Sequence, residues 1–205
     1  MGWVPTSGAP SSTTSSARSR LGVLLVLSGP SGAGKGTVAA KLLDREPRPW
    51  LSISATTRPA RPGEVDGVNY VFLDRSTFEK WQEHDEFVES FEVFGHFYGT
   101  PKRPLIDHLA AGDDVLLEID VQGAMAVRKV FPDAVLVFLR PPSREVQKER
   151  LLARAGDALD SIERRLAKAD AEEAMASEFD LVVVNDDLEA AVEQVAAILE
   201  ARRTP

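Results

Sequence analysis

Residues 23–37, VLLVLSGPSGAGKGT, decide the fold of this chain. The first five are apolar without alternation, which is the pattern of a strand buried on both faces of a parallel sheet. A loop of glycines and small residues follows, and a helical pattern begins at Thr37. Strand, glycine loop and helix in this order predict the first unit of a doubly wound α/β fold.

The loop between this strand and this helix has the composition of a phosphate site. Its glycines let successive backbone N–H groups surround an anion, and the start of the helix adds partial positive charge. Lys35 supplies a mobile cation for the outer phosphates of a nucleotide. The predicted phosphate-binding residues are Gly29, Pro30, Ser31, Gly32, Ala33, Gly34, Lys35, Gly36 and Thr37.

The residue after the loop lysine departs from the usual pattern. Gly36 stands where a P-loop normally has a Ser or Thr whose hydroxyl binds Mg²⁺. The first hydroxyl therefore comes one position later, at Thr37. The sequence leaves three roles open for it: direct contact with the metal, contact through water, or capping of the helix.

Composition limits the class of protein. At 205 residues the chain predicts one domain, and the absence of cysteine excludes a disulfide framework and fits a reducing, cytoplasmic location. A net charge of −8 argues against nucleic-acid or anionic-membrane binding. No apolar run approaches the roughly 20 residues of a membrane helix.

Residues 1–20, rich in Ser, Thr, Gly and Pro, are predicted to be disordered. The oligomeric state stays open.

Apolar runs and helical patterns alternate along the rest of the chain. The predicted strands are 23–27, 51–54, 69–73, 87–93, 115–120, 134–139 and 181–184. A capping box at Ser76–Glu79 predicts the start of one helix. The other predicted helices are 37–45, 105–111, 122–130, 144–153, 161–177 and 188–202.

Several short motifs narrow the function. The chain carries, in this order, Gly-Pro-Ser-Gly (29–32), Thr-Thr-Arg (56–58), Arg-Pro-Gly-Glu (61–64), Tyr-Gly-Thr (98–100), Asp-Val-Gln-Gly (120–123) and Val-Asn-Asp-Asp (184–187). Over residues 21–203 it resembles the guanylate kinases. The resemblance implies transfer of the γ-phosphoryl group of ATP to GMP or dGMP, with Mg²⁺ as cofactor.

The resemblance also implies a division of the chain within one P-loop kinase domain, residues 21–205. A parallel-sheet core would comprise residues 21–53, 105–143 and 170–205. A small α+β insertion, residues 54–104, would bind GMP, and a helical lid, residues 144–169, would close over the donor. The phosphate-binding loop would then hold ATP.

A proline-stiffened loop carries two candidate ligands for the acceptor phosphate. Arg58 and Arg61 lie three residues apart, and their planar guanidinium groups suit bidentate capture of phosphate. Tyr70 and Tyr98 each add a hydroxyl donor. Two solvated arginines are the alternative interpretation of the loop taken alone.

Glu89 is the candidate for base selection. Strand alternation over residues 87–93 places it on the face of Phe87, Phe91 and Val93, and a carboxylate on an apolar face needs a partner. Guanine offers two adjacent donors, N1–H and the 2-amino group, whereas adenine has an acceptor at N1. Contact with water or with an arginine is the alternative. The resemblance assigns the hydroxyls of Ser54 and Thr100 to the guanine O6.

Two acids end the strand 115–120, at the edge where α/β sheets bind ligands. Glu118 and Asp120 are two residues apart and share a face of the strand. The resemblance places Asp120 on the GMP side. Glu118 stands where Asp is common, and its alternatives are a metal-bound water and a structural strand-end carboxylate.

The region 144–169 is rich in arginine. Phosphoryl transfer spreads negative charge over the equatorial oxygens, and arginines that arrive on closure stabilise it. The resemblance assigns this role to Arg154 and Arg165, although Arg154 is followed by Ala-Gly where Gly is usual. It places Arg150 over adenine.

Two other functions fit parts of the sequence. The first is a related P-loop kinase that acts on another small phosphate, since Gly36-Thr37 also occurs in adenylate kinases. The second is a non-catalytic module of this fold that binds phosphopeptides. The intact glycine loop with Lys35 favours an enzyme over that module.

Overall fold

A computed structural model describes residues 20–93, 95–154 and 159–203, and it describes no side chain within 154–165. The disorder predicted for residues 1–20 therefore falls, except for Arg20, outside the described residues. The strands are β1 (Leu24–Ser28), β2 (Trp50–Leu51), β3 (Ala55–Thr56), β4 (Val71–Phe72), β5 (Phe87–Val93), β6 (His96–Pro101), β7 (Val115–Glu118), β8 (Val135–Arg140) and β9 (Leu181–Val184). The helices are α1 (Lys35–Leu43), α2 (Arg75–Glu83), α3 (Lys102–Ala111), α4 (Val121–Val130), α5 (Arg144–Arg154), α6 (Leu159–Glu173) and α7 (Leu188–Arg203).

A five-stranded sheet in the order β2-β7-β1-β8-β9 forms the centre of the fold. Every pair in it is parallel. All five residues of β1 are buried, as the continuous apolar run predicts. The α/β class with a parallel-sheet core is confirmed.

Apolar side chains pack on both faces of this sheet. On one face, Leu25 and Leu27 belong to a cluster with residues of α1 and α7. On the other, Leu24 and Val26 pack with residues of α3 and α4. Successive residues of β1 thus enter opposite layers, which explains why the strand is apolar at every position.

Residues 55–101 build a second sheet, in the order β4-β3-β6-β5. β3 pairs in parallel with β4 and antiparallel with β6, and β5 pairs antiparallel with β6. Phe78 of α2 stacks on Phe87 and Phe97, with ring centroids 4.5 and 5.5 Å apart. The sequence predicts short strands and one helix here but misses β3 and β6.

Several predicted boundaries differ from the observed ones. Helix α1 begins at Lys35, two residues before the predicted start. The predicted capping box at Ser76 is wrong, because α2 is capped earlier by Asp74, whose carboxylate accepts a hydrogen bond from the Thr77 N–H at 2.8 Å. Strand β7 ends at Glu118, and the predicted helix 161–177 divides into α6 and a 3₁₀ turn at Ala176–Glu178.

Among the described residues, no helix has both the length and the apolar character that crossing a lipid bilayer requires.

Asp114 joins three segments at the amino ends of the strands. It is 7% exposed, and its Oδ1 accepts hydrogen bonds from the Val23 N–H at 2.8 Å and from Arg20 at 3.1 Å. Its Oδ2 accepts from Nε of Arg203, near the end of α7. One buried carboxylate thus satisfies donors from before β1 and from the last helix.

We expect Asp114→Ala to lower the free energy of unfolding by about 3 kcal/mol, since three donors lose their buried acceptor. The control is Asp107→Ala, which breaks an exposed pair with Arg103 and should change stability by less than about 1 kcal/mol. Denaturant titration measures both. Equal, small changes in the two variants would contradict the role given to Asp114.

Candidate nucleotide site

Backbone geometry fixes the loop after β1. Gly29 and Gly34 have φ angles of 135° and 93°, a region that disfavours other residues. A Cβ on Gly29 would lie 2.1 Å from the carbonyl oxygen of Leu139, and one on Gly34 would lie 2.4 Å from Nδ2 of Asn185. Glycine is therefore required here by close packing as well as by conformation.

Lys35 lies across this loop. As the first residue of α1, it donates from Nζ to the carbonyl oxygens of Gly29 at 2.6 Å and Pro30 at 3.3 Å. Lys35 also lines a cavity at the carboxyl edge of the sheet.

The first cavity, of about 190 Å³, brings together the phosphate loop and most of the residues that the sequence predicts to bind the acceptor nucleotide. It is lined by Gly29, Ser31, Lys35, Ser54, Tyr70, Glu89, Phe91, Val93, Tyr98, Gly99, Glu118, Ile119, Asp120, Lys168 and Glu172. The side chains of Arg58, Arg61 and Thr100 do not belong to this lining but are one contact away or exposed.

Glu89 shares the cavity with Phe91 and Val93, as predicted, but Phe87 does not. Phe87 faces away because the register between β5 and β6 shifts between Phe87 and Ser90. Two residues of β5 there lie opposite one residue of β6, so the strand carries a bulge that reverses its alternation. Phe87 packs under α2 instead.

The Glu89 carboxylate is largely desolvated. Thr100, which is fully buried, donates from Oγ1 to its Oε1 at 2.5 Å. Burial raises the pKa of Glu89 to about 7; the charge of Asp120 acts in the same direction, and the bonds from Thr100 oppose it. The Thr100 hydroxyl, predicted to face the guanine O6, has its acceptor in Glu89.

Arg58 contacts Tyr70, one of the residues that line the first cavity. Its guanidinium is 5.3 Å from the centroid of the Tyr70 ring, and it is bonded to both carboxylate oxygens of Glu64. Arg58 is only 9% exposed, whereas Arg61 is exposed. The two predicted phosphate ligands therefore differ: one is held in place, and the other faces solvent.

The two acids after β7 both line the first cavity, as their spacing predicts. Glu118 ends the strand, and its Oε1 lies 3.4 Å from where a Cβ on Gly36 would stand. Asp120 caps α4 by accepting from the Gly123 N–H at 2.9 Å, and its Oδ2 accepts from Lys168 Nζ at 3.2 Å. Asp120 thus links the lining of the first cavity to α6.

Sequence reasoning missed Lys168 and Glu172, which bring α6 into the first cavity. Lys168 Nζ lies 3.4 Å from Glu172 Oε1, four residues further along the helix. Burial raises the pKa of Glu172, and the charges of Lys168 and Lys35 oppose that rise. The spacing predicts the helical pair, but nothing local predicts that it reaches a carboxylate 48 residues earlier.

The second cavity, of about 370 Å³, lies on the other side of the loop. Arg150 of α5 donates to the carbonyl oxygen of Asn185 at 3.1 Å, and the Asn185 amide donates to that of Ala33 at 2.8 Å. Thr37 lines this cavity, together with Gly32, Gly34, Arg150, Ala153, Asn185, Asp186 and Leu188. The alternative in which Thr37 caps the helix is wrong, because the cap is Gly34.

Two predicted catalytic residues fall outside the part of the chain whose side chains are described. They are Arg154, at the end of α5, and Arg165, in α6. Another side chain of α5, which sequence reasoning did not single out, does contact the phosphate loop: Gln147 is buried and donates to the carbonyl oxygen of Ser31 at 2.8 Å.

Comparison with known proteins gives one consistent family. The family model described as guanylate kinase matches residues 22–202. The guanylate kinase of Gloeobacter violaceus is 55% identical over 86% of both chains, and one from Thermus thermophilus is 54% identical over 89% of this chain and 82% of its own. The crystal structure of guanylate kinase from Anaplasma phagocytophilum superimposes with a TM-score of 0.77, at 37% identity, over 91% of this chain and 88% of its own.

The contacts of Glu89 predict a measurable titration. We expect Thr100→Val to raise the pKa of Glu89 above its wild-type value of about 7, because the hydroxyl that stabilises the ionised form is removed. Carboxyl ¹³C NMR as a function of pH measures it. Glu64, whose pKa is held below its usual value by Arg58, is the internal control. A lower midpoint for Glu89 in the variant would contradict this account.

Proposed function

We propose that this chain, which belongs to the guanylate kinase family and is a nucleoside monophosphate kinase, transfers the γ-phosphoryl group of ATP to GMP or dGMP. The products would be ADP and GDP or dGDP. One observation carries the proposal: a single cavity contains both the loop lysine, Lys35, and a buried carboxylate suited to guanine, Glu89.

Base selection follows from the chemistry of Glu89. When ionised, its carboxylate accepts from N1–H and from the 2-amino group of guanine. Adenine would leave the carboxylate facing an acceptor, and burial makes that mismatch costly. The buried Thr100 hydroxyl supports this role by bonding one carboxylate oxygen. Ser54, which lines the same cavity, is the proposed donor to O6.

The acceptor phosphate is proposed to lie against Arg58, Tyr70 and Tyr98. It is already an anionic nucleophile, so the reaction requires positioning and neutralisation of charge rather than a general base. Arg61 is proposed to turn in from solvent. Lys35 and Arg58, with the lid arginines Arg154 and Arg165, would stabilise the transferred group.

The donor is proposed to span both cavities. Its outer phosphates would follow the loop Gly29–Thr37 towards Lys35. Its adenine would enter the second cavity, where the Arg150 guanidinium lies beside Asn185. Closure of the lid, residues 144–169, would exclude water and so limit hydrolysis of ATP.

The residues around Gly36 fit a Mg²⁺ ion carried by ATP. Among the described residues no three His, Cys, Asp or Glu side chains form a metal-holding group. Mg²⁺ usually binds one or two carboxylates together with phosphates and water. Glu118 lies beside Gly36, where a missing side chain leaves space, and Thr37 lies one residue further. These two residues would hold the ion, directly or through water, and the ion would neutralise phosphate charge.

The acceptor test uses purified protein with Mg²⁺ and ATP. We expect rapid ADP formation with GMP and little with AMP or without acceptor. Glu89→Gln should lower kcat/KM for GMP by roughly 10²-fold or more, because the amide replaces one acceptor oxygen by an NH2 donor that faces a donor of guanine, while ATP binding persists. Glu92→Gln, an exposed acid on the same strand, is the control. Equal consumption of AMP and GMP would overturn the assignment.

The metal test is a Mg²⁺ titration at fixed ATP. We expect Glu118→Gln to raise the Mg²⁺ concentration for half-maximal activity by about tenfold, as for loss of a group that orients metal-bound water. Thr37→Ala should raise it by a smaller factor, since Thr37 lines the second cavity. Unchanged titrations in both variants would exclude these residues from the metal site.

A further inference from the structure

Arg58 is held by several partners at once. Its Nη1 donates to Glu64 Oε2 at 2.9 Å and to the carbonyl oxygen of Pro59 at 2.7 Å, and its Nη2 donates to Glu64 Oε1 at 2.8 Å. The guanidinium also faces the rings of Tyr70 and Phe72, whose centroids are 5.3 and 5.9 Å away. Hydrogen bonds therefore hold the guanidinium within its plane, and the aromatic rings pack against its face.

The bonds to Glu64 and Pro59 do not use the edge of the guanidinium formed by Nε and Nη2. Arginine has five N–H donors, and the bonds to Glu64 and Pro59 use three of them. The other two, Nε–H and the second Nη2–H, point in parallel from a different edge. The Tyr98 hydroxyl is a further hydrogen-bond partner of the same guanidinium, so it shares this remaining edge, and Tyr98 lines the first cavity. Two parallel donors beside a hydroxyl form a group suited to phosphate oxygens.

Glu64 also shapes the loop that carries the second arginine. Its Oε2 accepts from the Arg61 N–H at 2.7 Å, and its own N–H donates to the carbonyl oxygen of Arg61 at 3.0 Å. The turn between them passes through Gly63, at a φ of 87°. The bond to Arg58 holds the pKa of Glu64 below its usual value, so the carboxylate stays ionised at neutral pH.

We propose that Glu64 is a positioning residue for the acceptor phosphate: it binds the Nη1–Nη2 edge of Arg58 so that the Nε–Nη2 edge meets the phosphate. This inference rests on the proposed function, because the phosphate concerned is that of the acceptor nucleotide. Glu64 itself does not touch the substrate. It acts by fixing the orientation of Arg58 before binding and by closing the turn at Arg61.

The opposite role for Glu64 would be competition, in which the acceptor phosphate displaces it from Arg58. The two roles predict opposite signs. Loss of a positioning carboxylate weakens binding of the phosphate, whereas loss of a competitor strengthens it. The occupied edge favours positioning, since Glu64 and a bidentate phosphate use different pairs of hydrogens.

The test compares GMP with guanosine, which lacks the phosphate. Glu64→Gln keeps the shape of the side chain and removes its charge. We expect it to weaken GMP binding by about tenfold to a hundredfold, as for a misplaced binding group, and to leave guanosine binding unchanged. KM for GMP should rise by more than kcat falls. Calorimetric titration and steady-state kinetics measure these quantities.

The control is Glu79→Gln, which breaks an exposed pair with Arg75 in the same α+β region and should change neither affinity. Unchanged or tighter GMP binding in Glu64→Gln would overturn the proposal. So would an equal loss for GMP and guanosine, because that result indicates general disorder of the loop.

Failure of the proposed function is a separate result, seen in the wild type. If the wild-type protein phosphorylates a different nucleoside monophosphate, the assignment of GMP fails. The same comparison, made with that monophosphate and its nucleoside, then tests Glu64 with the same expected and overturning outcomes.

Discussion

Parallel pairing of β1 with β7 is the constraint on which the rest of the site depends. Leu27 stands opposite Glu118 in this register, so the two strands end at the same edge of the sheet. The phosphate loop leaves one strand there, and Glu118 and Asp120 leave the other. A buried apolar strand holds this register because slipping by one residue would exchange the side chains of the two packing layers. The distance between the loop and the acids is thus set by the core.

The core could be predicted from the sequence because the patterns that indicate it are local. The apolar run before the loop predicts burial that the structure confirms, and so do the apolar residues at helical spacing in α7, which are Leu188, Val192, Val195 and Leu199. β3 and β6 could not be predicted in this way. β3 has two residues, and β6 contains Gly99 and Pro101, which usually mark turns. Both become strands through hydrogen bonds to partners distant in the chain, which outweigh local preference.

The candidate site, too, contains residues that could be predicted from the sequence and residues that could not. Glu89, Tyr70 and Tyr98 could be selected because their chemistry suits a nucleotide, and the structure brings them to one cavity. The face of Phe87 could not be predicted, since a bulge depends on the partner strand. Lys168 and Glu172 could not be found either, because a charged pair one helical turn apart is ordinary on a solvated helix. Their importance comes from the position of α6 over Asp120.

Glu89 and Arg58 meet different ends of the proposed acceptor and are supported in opposite ways. Arg58 is matched by Glu64, so its charge is balanced within the folded protein. Glu89 has a hydroxyl partner and a nearby acid, and its raised pKa means that its ionised form destabilises the fold. The protonated form of Glu89 therefore stabilises the folded protein below the unfolded-state pKa. This stabilisation is lost as the pH rises through about 7. In the proposed complex, the two donors of guanine would stabilise the ionised form of Glu89, whereas the phosphate would meet an arginine already in place. Under the proposed function, selectivity would therefore reside at the guanine end of the site, where the buried carboxylate of Glu89 lies.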